Sequence, residues 1–193
     1  TVRDVHKLQK PPESEEFQGR KHFIAYGQAP DFVILDKKFD QSKDNQKKYV
    51  YGCVEVKQFK KNDDFNTVKK ILYSLQKPET NIKIYSHSKN VYMNNKLVNK
   101  LQGELLKEIV CFRRVIFTNG KTWYFIKASK SIKCITNIRL VVGANHSVSF
   151  KDEDIEITKL YDYSEKTTEK QGIINFEKFK VELEEKLKIL NDN

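Results

Sequence analysis

Ala29-Pro30-Asp31-Phe32-Val33-Ile34-Leu35 and Tyr49-Val50-Tyr51-Gly52-Cys53-Val54-Glu55-Val56-Lys57 are the two stretches whose reading decides the fold. Each is a short run of β-branched and aromatic residues, the composition of a strand. Asp36 to Lys48 between them is almost wholly polar, so the pair reads as a hairpin with a long solvated loop. Side chains at i and i+2 of a strand share a face. Glu55 and Lys57 therefore project together, whereas Val54 and Val56 point into the opposite, apolar layer. Asp31, at the start of the preceding strand, would bring a second acid to the same end of the hairpin, and the Val56 carbonyl offers a further oxygen.

Outward from this hairpin the pattern alternates between helix and strand. Residues 64–76 place Phe65, Val68, Leu72 and Leu75 near one helical face, and Lys77-Pro78 ends the run. Residues 82–85 read as a short strand, while the polar segment up to Asn95 carries no clear pattern. A second amphipathic helix is expected over 95–110, with Leu97 or Val98, Leu101, Leu105 and Ile109 inward. Two β-rich runs from Val115 to Ile126 are joined by Asn119-Gly120, which predicts a hairpin closed by a type I′ turn. A further strand is expected over 135–142 and a last helix over 174–190, with Ile174, Phe176 or Phe179, Leu183, Leu187 and Leu190 inward. These elements imply one α/β domain around a mixed sheet, covering residues 21–193 behind a polar arm of residues 1–20.

The composition supports a globular domain: of 193 residues, 38% are hydrophobic and 32% charged. No apolar run approaches the roughly 20 residues that cross a bilayer, so no membrane partner is expected. The net charge of +10 would attract polyanions, chiefly nucleic acid, although a lysine-rich composition is also a common background habit. Cys53, Cys111 and Cys134 lie far apart in apolar stretches without zinc-ligand spacing, which implies reduced, buried thiols and a cytoplasmic setting. His6, His22, His87 and His146 have no partner at metal-ligand spacing and read as structural or exposed. The chain starts at Thr1, so a piece trimmed or excised from something longer is expected.

Metal-assisted phosphodiester cleavage needs carboxylates to hold a divalent ion and a group to orient water and offset negative charge. Asp31, Glu55 and Lys57 supply that set. Two other acidic triplets, Asp36-Lys37-Lys38 and Glu184-Glu185-Lys186, end in lysine, but the first enters a polar loop and the second lies on a helix, where residues two apart face differently. A glutamate and a lysine inside an apolar strand are costly to bury unless paired or functional. The structural alternative is a partly exposed strand carrying a harmless salt bridge.

Ala29 to Leu35, then Cys53 to Lys57, then a helix bearing Gln102, then Val115 to Phe125 with its Thr118-Asn119-Gly120-Lys121-Thr122-Trp123 core, resembles the N-terminal nuclease domain of type I restriction enzyme R subunits, within the PD-(D/E)XK nuclease superfamily. The resemblance covers roughly residues 25–127. It implies a restriction-endonuclease-like mixed sheet flanked by helices, dependence on Mg²⁺ or Mn²⁺, and DNA cleavage leaving a 5′-phosphate, in restriction or defence against foreign DNA. By the same resemblance Asp31 and Glu55, with the Val56 carbonyl, would bind metal. Lys57 would position water or stabilise the transition state, and Gln102 would reach the site from its helix. The segment from about 60 to 95 departs as an insertion, and Leu105 or Leu106 stands where an aromatic residue is usual. Glu13, Glu15 or Glu16 could add an upstream acid, although a solvated patch is the simpler reading.

Further domains or subunits of a larger complex would be partners besides DNA. Lysines around 37–48, 57–61 and 69–70 could contact phosphates. Trp123 with Tyr124 and Phe125 reads as hairpin packing rather than as a stacking platform. Two other functions fit the same residues: a catalytically silent module that binds nucleic acid or protein, and an excised nuclease toxin acting on DNA or RNA.

Overall fold

The expected hairpin is formed by β2 (Phe32–Leu35) and β3 (Val50–Val56), paired antiparallel with Val33 opposite Cys53 and Phe32 opposite Val54. The polar loop between them closes on itself: Asp36 N–H donates to the Tyr49 carbonyl at 2.9 Å, and a short 3-10 turn, Gln46–Tyr49, leads into β3. The chain is described here by a computed structural model covering residues 2–5, 23, 26, 28–40, 42–43, 46–57, 62–85, 90–130, 145–163 and 169–188.

The polar arm expected for residues 1–20 needs a correction at its start. Val2–Asp4 form an edge strand, β1, antiparallel to β2, and Val5 is buried behind it. Three residues are too few for an alternating pattern, and the pairing rests on backbone hydrogen bonds that any sequence can make. Residues 6–22, including Glu13, Glu15, Glu16, His6 and His22, lie outside the described residues.

After β3 the chain leaves the sheet and returns parallel to it. The excursion holds α1 (Asn62–Leu75), three short strands and α2 (Lys100–Phe112), before β7 (Arg114–Thr118) pairs parallel to β3 with Glu55 opposite Phe117. The three strands are β4 (Glu79–Tyr85), β5 (Val91–Met93) and β6 (Lys96–Leu97). With β9 (Asn145–Lys151) they form a second sheet in the order β6-β5-β4-β9. The expected insertion is thus α1 and most of this sheet. The helix expected over 95–110 begins later, because Asn99 caps α2 and the stretch before it is a hairpin. That hairpin turns through Asn94 and Asn95 at φ 50° and 63°, the two positive angles that a type I′ turn requires.

At the 115–126 hairpin the turn differs from the expectation. β7 and β8 (Thr122–Ala128) do pair, but of Asn119 and Gly120 only Gly120 has positive φ. Asn119 instead accepts hydrogen bonds through Oδ1 from Lys121 N–H at 3.0 Å and Thr122 N–H at 2.8 Å, closing a wider loop. Asparagine imposes a turn by side-chain bonding as readily as by left-handed backbone.

β10 (Ile155–Asp162) adds to β8, so the main sheet runs β1-β2-β3-β7-β8-β10, and α3 (Glu169–Lys188) packs against β10. The molecule is α/β, with a mixed central sheet flanked by helices. Alternation along the strands divides the core. Cys53, Val115, Phe117, Tyr124 and Ile126 join α1, α2 and the second sheet in the larger cluster. Val54, Ile116, Phe125 and Leu160 pack on the other face with Phe179 of α3. Phe65, Val68, Leu72 and Leu75 of α1 are buried as their spacing predicts. The strand expected over 135–142 falls outside the described residues. No helix among the described residues is long and apolar enough to cross a membrane.

Gly52 marks a tight crossing in the sheet. A Cβ there would stand 2.5 Å from the carbonyl oxygen of Arg114, a backbone atom that cannot rotate away. Gly52→Ala is therefore expected to cost about 1–3 kcal/mol, the usual range for overpacking, read as a lower urea midpoint at unchanged slope.

Candidate active site

β3 carries Glu55 on the face that meets α2, together with Cys53, and Lys57 follows directly after the strand, while Val54 packs on the opposite face. Asp31 stands immediately before β2, and its Oδ2 accepts the Val56 N–H at 2.7 Å. A strand residue's N–H and C=O project to the same side, so the Val56 carbonyl lies on the edge facing Asp31. On the other edge, Lys57 N–H donates to the Thr118 carbonyl at 2.8 Å and ties the end of β3 to β7.

Lys57 is the hub of the side-chain network. Its Nζ donates to Glu55, and reaches Glu104 Oε2 of α2 at 3.3 Å. Glu104 Oε1 in turn accepts from Gln28 Nε2 at 2.9 Å, and Gln28 Oε1 accepts from Lys107 Nζ at 3.1 Å. Lys100 stands at the exposed rim, 4.0 Å from Glu104. One turn beyond Glu104, Glu108 is only 3% exposed, and its Oε2 is buried without a hydrogen-bond partner. Glu108 faces Glu55, with Asp31 within electrostatic reach.

The charges perturb one another in a consistent way. Burial raises the Glu55 carboxyl above the usual carboxylate range; Lys57 opposes this and Asp31 adds to it. Burial and then Glu55 push Glu108 well above that range. Burial alone would lower the Lys57 ammonium, but Glu55, Glu104 and Glu108 outweigh it, so Lys57 titrates above an ordinary lysine and stays protonated. Burial raises the Cys53 thiol, with Glu108 and Glu55 adding to the effect, which keeps it a neutral packing group. Cys111 is also buried and free, while Cys134 lies outside the described residues.

Of the residues singled out in the sequence, Asp31, Glu55, Val56 and Lys57 meet at one end of β3. Gln102 does not join them. It stands two positions from Glu104 and so on a different helix face, where it completes the capping box with Asn99 and donates through Nε2 to the Thr67 carbonyl at 2.9 Å. The α2 carboxyls that reach the network are Glu104 and Glu108, four residues apart. A sequence signal for Glu108 existed: in Leu105-Leu106-Lys107-Glu108-Ile109-Val110 it interrupts an apolar run as Glu55 does in β3. Trp123 packs its ring 5.2 Å from that of Phe179 and donates to the Gly120 carbonyl, in keeping with hairpin packing. Lys69 lies over the Tyr124 ring. His146 sits against Tyr26, with ring centroids 5.7 Å apart, and His87 lies outside the described residues.

The donors around Asp31 and Glu55 are carboxylate and carbonyl oxygens, the set that suits Mg²⁺ or Mn²⁺ rather than a softer metal. The buried Glu108 oxygen is an additional donor of the same kind. As placed, no three acids, imidazoles or thiols among the described residues stand together as a chelating group. Asp31 is engaged by the Val56 amide and Glu55 by Lys57. Compared with known proteins, the chain matches no family model, no curated protein and no solved structure.

The Glu55–Glu108 contact has a measurable consequence in metal-free protein. Both carboxyls are raised above the ordinary value of 4.5, so their contribution to stability is fully present below about that pH and is lost as pH rises through their folded values. Glu108→Gln removes the repulsion and leaves an amide able to donate to Glu55. In chelator the variant is expected to melt higher than wild type near neutral pH, by about 1–3 kcal/mol, with the difference shrinking toward pH 4.5. Thermal melts across pH check this; a constant difference, or a lower melting point, would contradict it.

Proposed function

We propose that this chain is a metal-dependent deoxyribonuclease domain of restriction-endonuclease-like fold, acting in restriction or defence against foreign DNA. The observation that carries the reading is the meeting of Asp31, Glu55 and Lys57 at one end of β3, with the Val56 carbonyl on the Asp31 side. The strand path agrees with it. An antiparallel β1-β2-β3 run, a return through helices and a parallel β7 give a mixed sheet that presents both acids at one end. A net charge of +10 favours a polyanionic substrate.

Asp31 and Glu55, with the Val56 carbonyl, would hold the ion. The chemistry that Mg²⁺ or Mn²⁺ would supply there is polarisation of the phosphate and activation of a water. Lys57 serves as a fixed positive charge rather than a base, because its carboxylate neighbours hold the proton on Nζ. Such a charge steadies negative charge developing on the phosphate and orients the attacking water by hydrogen bonding. Glu104 keeps Lys57 aimed along β3, and Gln28 and Lys107 brace Glu104 from behind.

Incubation of purified protein with plasmid DNA and Mg²⁺ should give nicked and linear products, and chelator should stop the reaction. Asp31→Ala, Glu55→Ala and Lys57→Ala should each lower the rate by at least about 100-fold, the usual loss when one electrostatic stabiliser is removed. Far-UV circular dichroism should stay that of wild type. Cutting at wild-type rate by all three variants sinks the proposal. DNA binding without cleavage by the wild type would identify a silent binding module, and cleavage of tRNA in place of DNA would identify an RNA-directed toxin.

A further inference from the structure

α2 presents a carboxylate to the site that strand patterning did not single out. Glu104 is accounted for by Lys57, Gln28 and the rim lysine Lys100. Glu108 is different. It is as buried as any charged side chain among the described residues, it stands against Glu55, and one of its oxygens accepts no hydrogen bond. Buried polar groups are nearly always satisfied, and an exception calls for an unfilled partner such as a water or an ion.

The charge balance leads to the same partner. Asp31, Glu55, Glu104 and Glu108 bring four carboxyls to the end of β3, and Lys57 is the ammonium in their midst. Lys107 reaches the cluster through Gln28, and Lys100 only from the rim. In a chain with ten more positive than negative charges, a local excess of acid, with Glu55 and Glu108 buried, is the reverse of the background. Bringing buried carboxylates together is a standard way to prepare an oxygen site for a hard divalent cation.

We propose that Glu108 is a direct ligand of the catalytic cation, pairing with Glu55 across the α2–β3 contact and taking the place on the helix that the resemblance would give to Gln102. The inference rests on the nuclease reading and specifies its metal set. Glu55 turns from Lys57 toward the ion when metal is present, and Lys57 keeps its hold on Glu104. Gln102 is then a structural residue that caps α2 and ties it to α1.

Manganese binding tests this without any measurement of cleavage. Free Mn²⁺ is followed by electron paramagnetic resonance during titration of the full chain, as wild type and as Glu108→Gln, Glu108→Asp, Gln102→Ala and Glu55→Ala. Wild type is expected to bind Mn²⁺, and Glu108→Gln to bind it at least about 10- to 100-fold more weakly, the loss usual when even a residue behind a ligand is removed. Glu108→Asp, which keeps the charge and shortens the reach, should fall between them, and Gln102→Ala should match wild type. Melting in chelator establishes that each variant is folded. If both Glu108 variants bind as wild type while Glu55→Ala loses the ion, the assignment of Glu108 is overturned and the nuclease reading stands. If wild type itself fails to bind Mn²⁺ at millimolar concentration, both are overturned.

Discussion

A protonated lysine held inside a sheet–helix contact by carboxylates from two elements is the constraint around which this structure is arranged. Unit charges about 4 Å apart interact by about 4 kcal/mol at an effective dielectric near 20, and removal from water costs each ion a comparable amount. Such a group persists only where its neighbours are fixed. Lys57 meets that condition because β3 is stitched to β2 and β7 on its two edges, while α2 brings Glu104 against it from above. Asp31 adds to the stitching, since its carboxylate replaces a strand partner for the Val56 amide at the point where β2 ends. The Asp31 carboxylate is thus part of the hydrogen-bonded frame.

The two faces of the sheet have separate duties. One carries the larger core, with α1, α2 and the four-stranded sheet closing over Cys53, Phe117 and Tyr124. The other is a smaller aromatic cluster under α3, where Phe125, Phe179 and Trp123 pack together. Among the described residues the buried carboxyls, Glu55 and Glu108, stand at the end of the first face. There the apolar alternation of β3 gives way to Glu55 and Lys57, and the apolar stripe of α2 gives way to Glu104 and Glu108. The stacking of Phe65 on Phe117, with centroids 4.8 Å apart, carries α1 onto the sheet behind that end.

Much of this was legible in the sequence where a periodic signal ran for several residues. The β2–β3 and β7–β8 hairpins, the inward face of α1 and the shared face of Glu55 and Lys57 all follow from spacings of two or of three and four. Short elements gave no such signal. β1 and β6 are only three and two residues long, and of Leu97 or Val98, the alternatives read as inward, Leu97 is a largely exposed strand residue while Val98 packs against the core. Turn chemistry was read at the wrong asparagine: Asn94-Asn95 takes the two left-handed angles, whereas Asn119 makes its turn by side-chain bonding. On α2 the motif-like residue, Gln102, proved to be a cap, because the choice among polar residues on a helix is settled by which face meets the sheet. That contact lies outside the helix's own sequence.

The strand partnerships also set the order in which the molecule can be assembled. Cys53 finds its parallel partner at Val115, and Glu79 finds Lys151, so both sheets are closed by contacts between distant parts of the chain. Closing loops of that length costs entropy before any pairing is gained, and parallel pairing through a long crossover is intrinsically slow. α2 packs against β3, β5, β7 and α1 together, so Glu104 and Glu108 take their places only where both of these long-range closures meet. The acidic cluster therefore joins segments far apart in the chain: Asp31, Glu55 and Lys57 come from the first hairpin, and Glu104 and Glu108 from a helix about fifty residues further on.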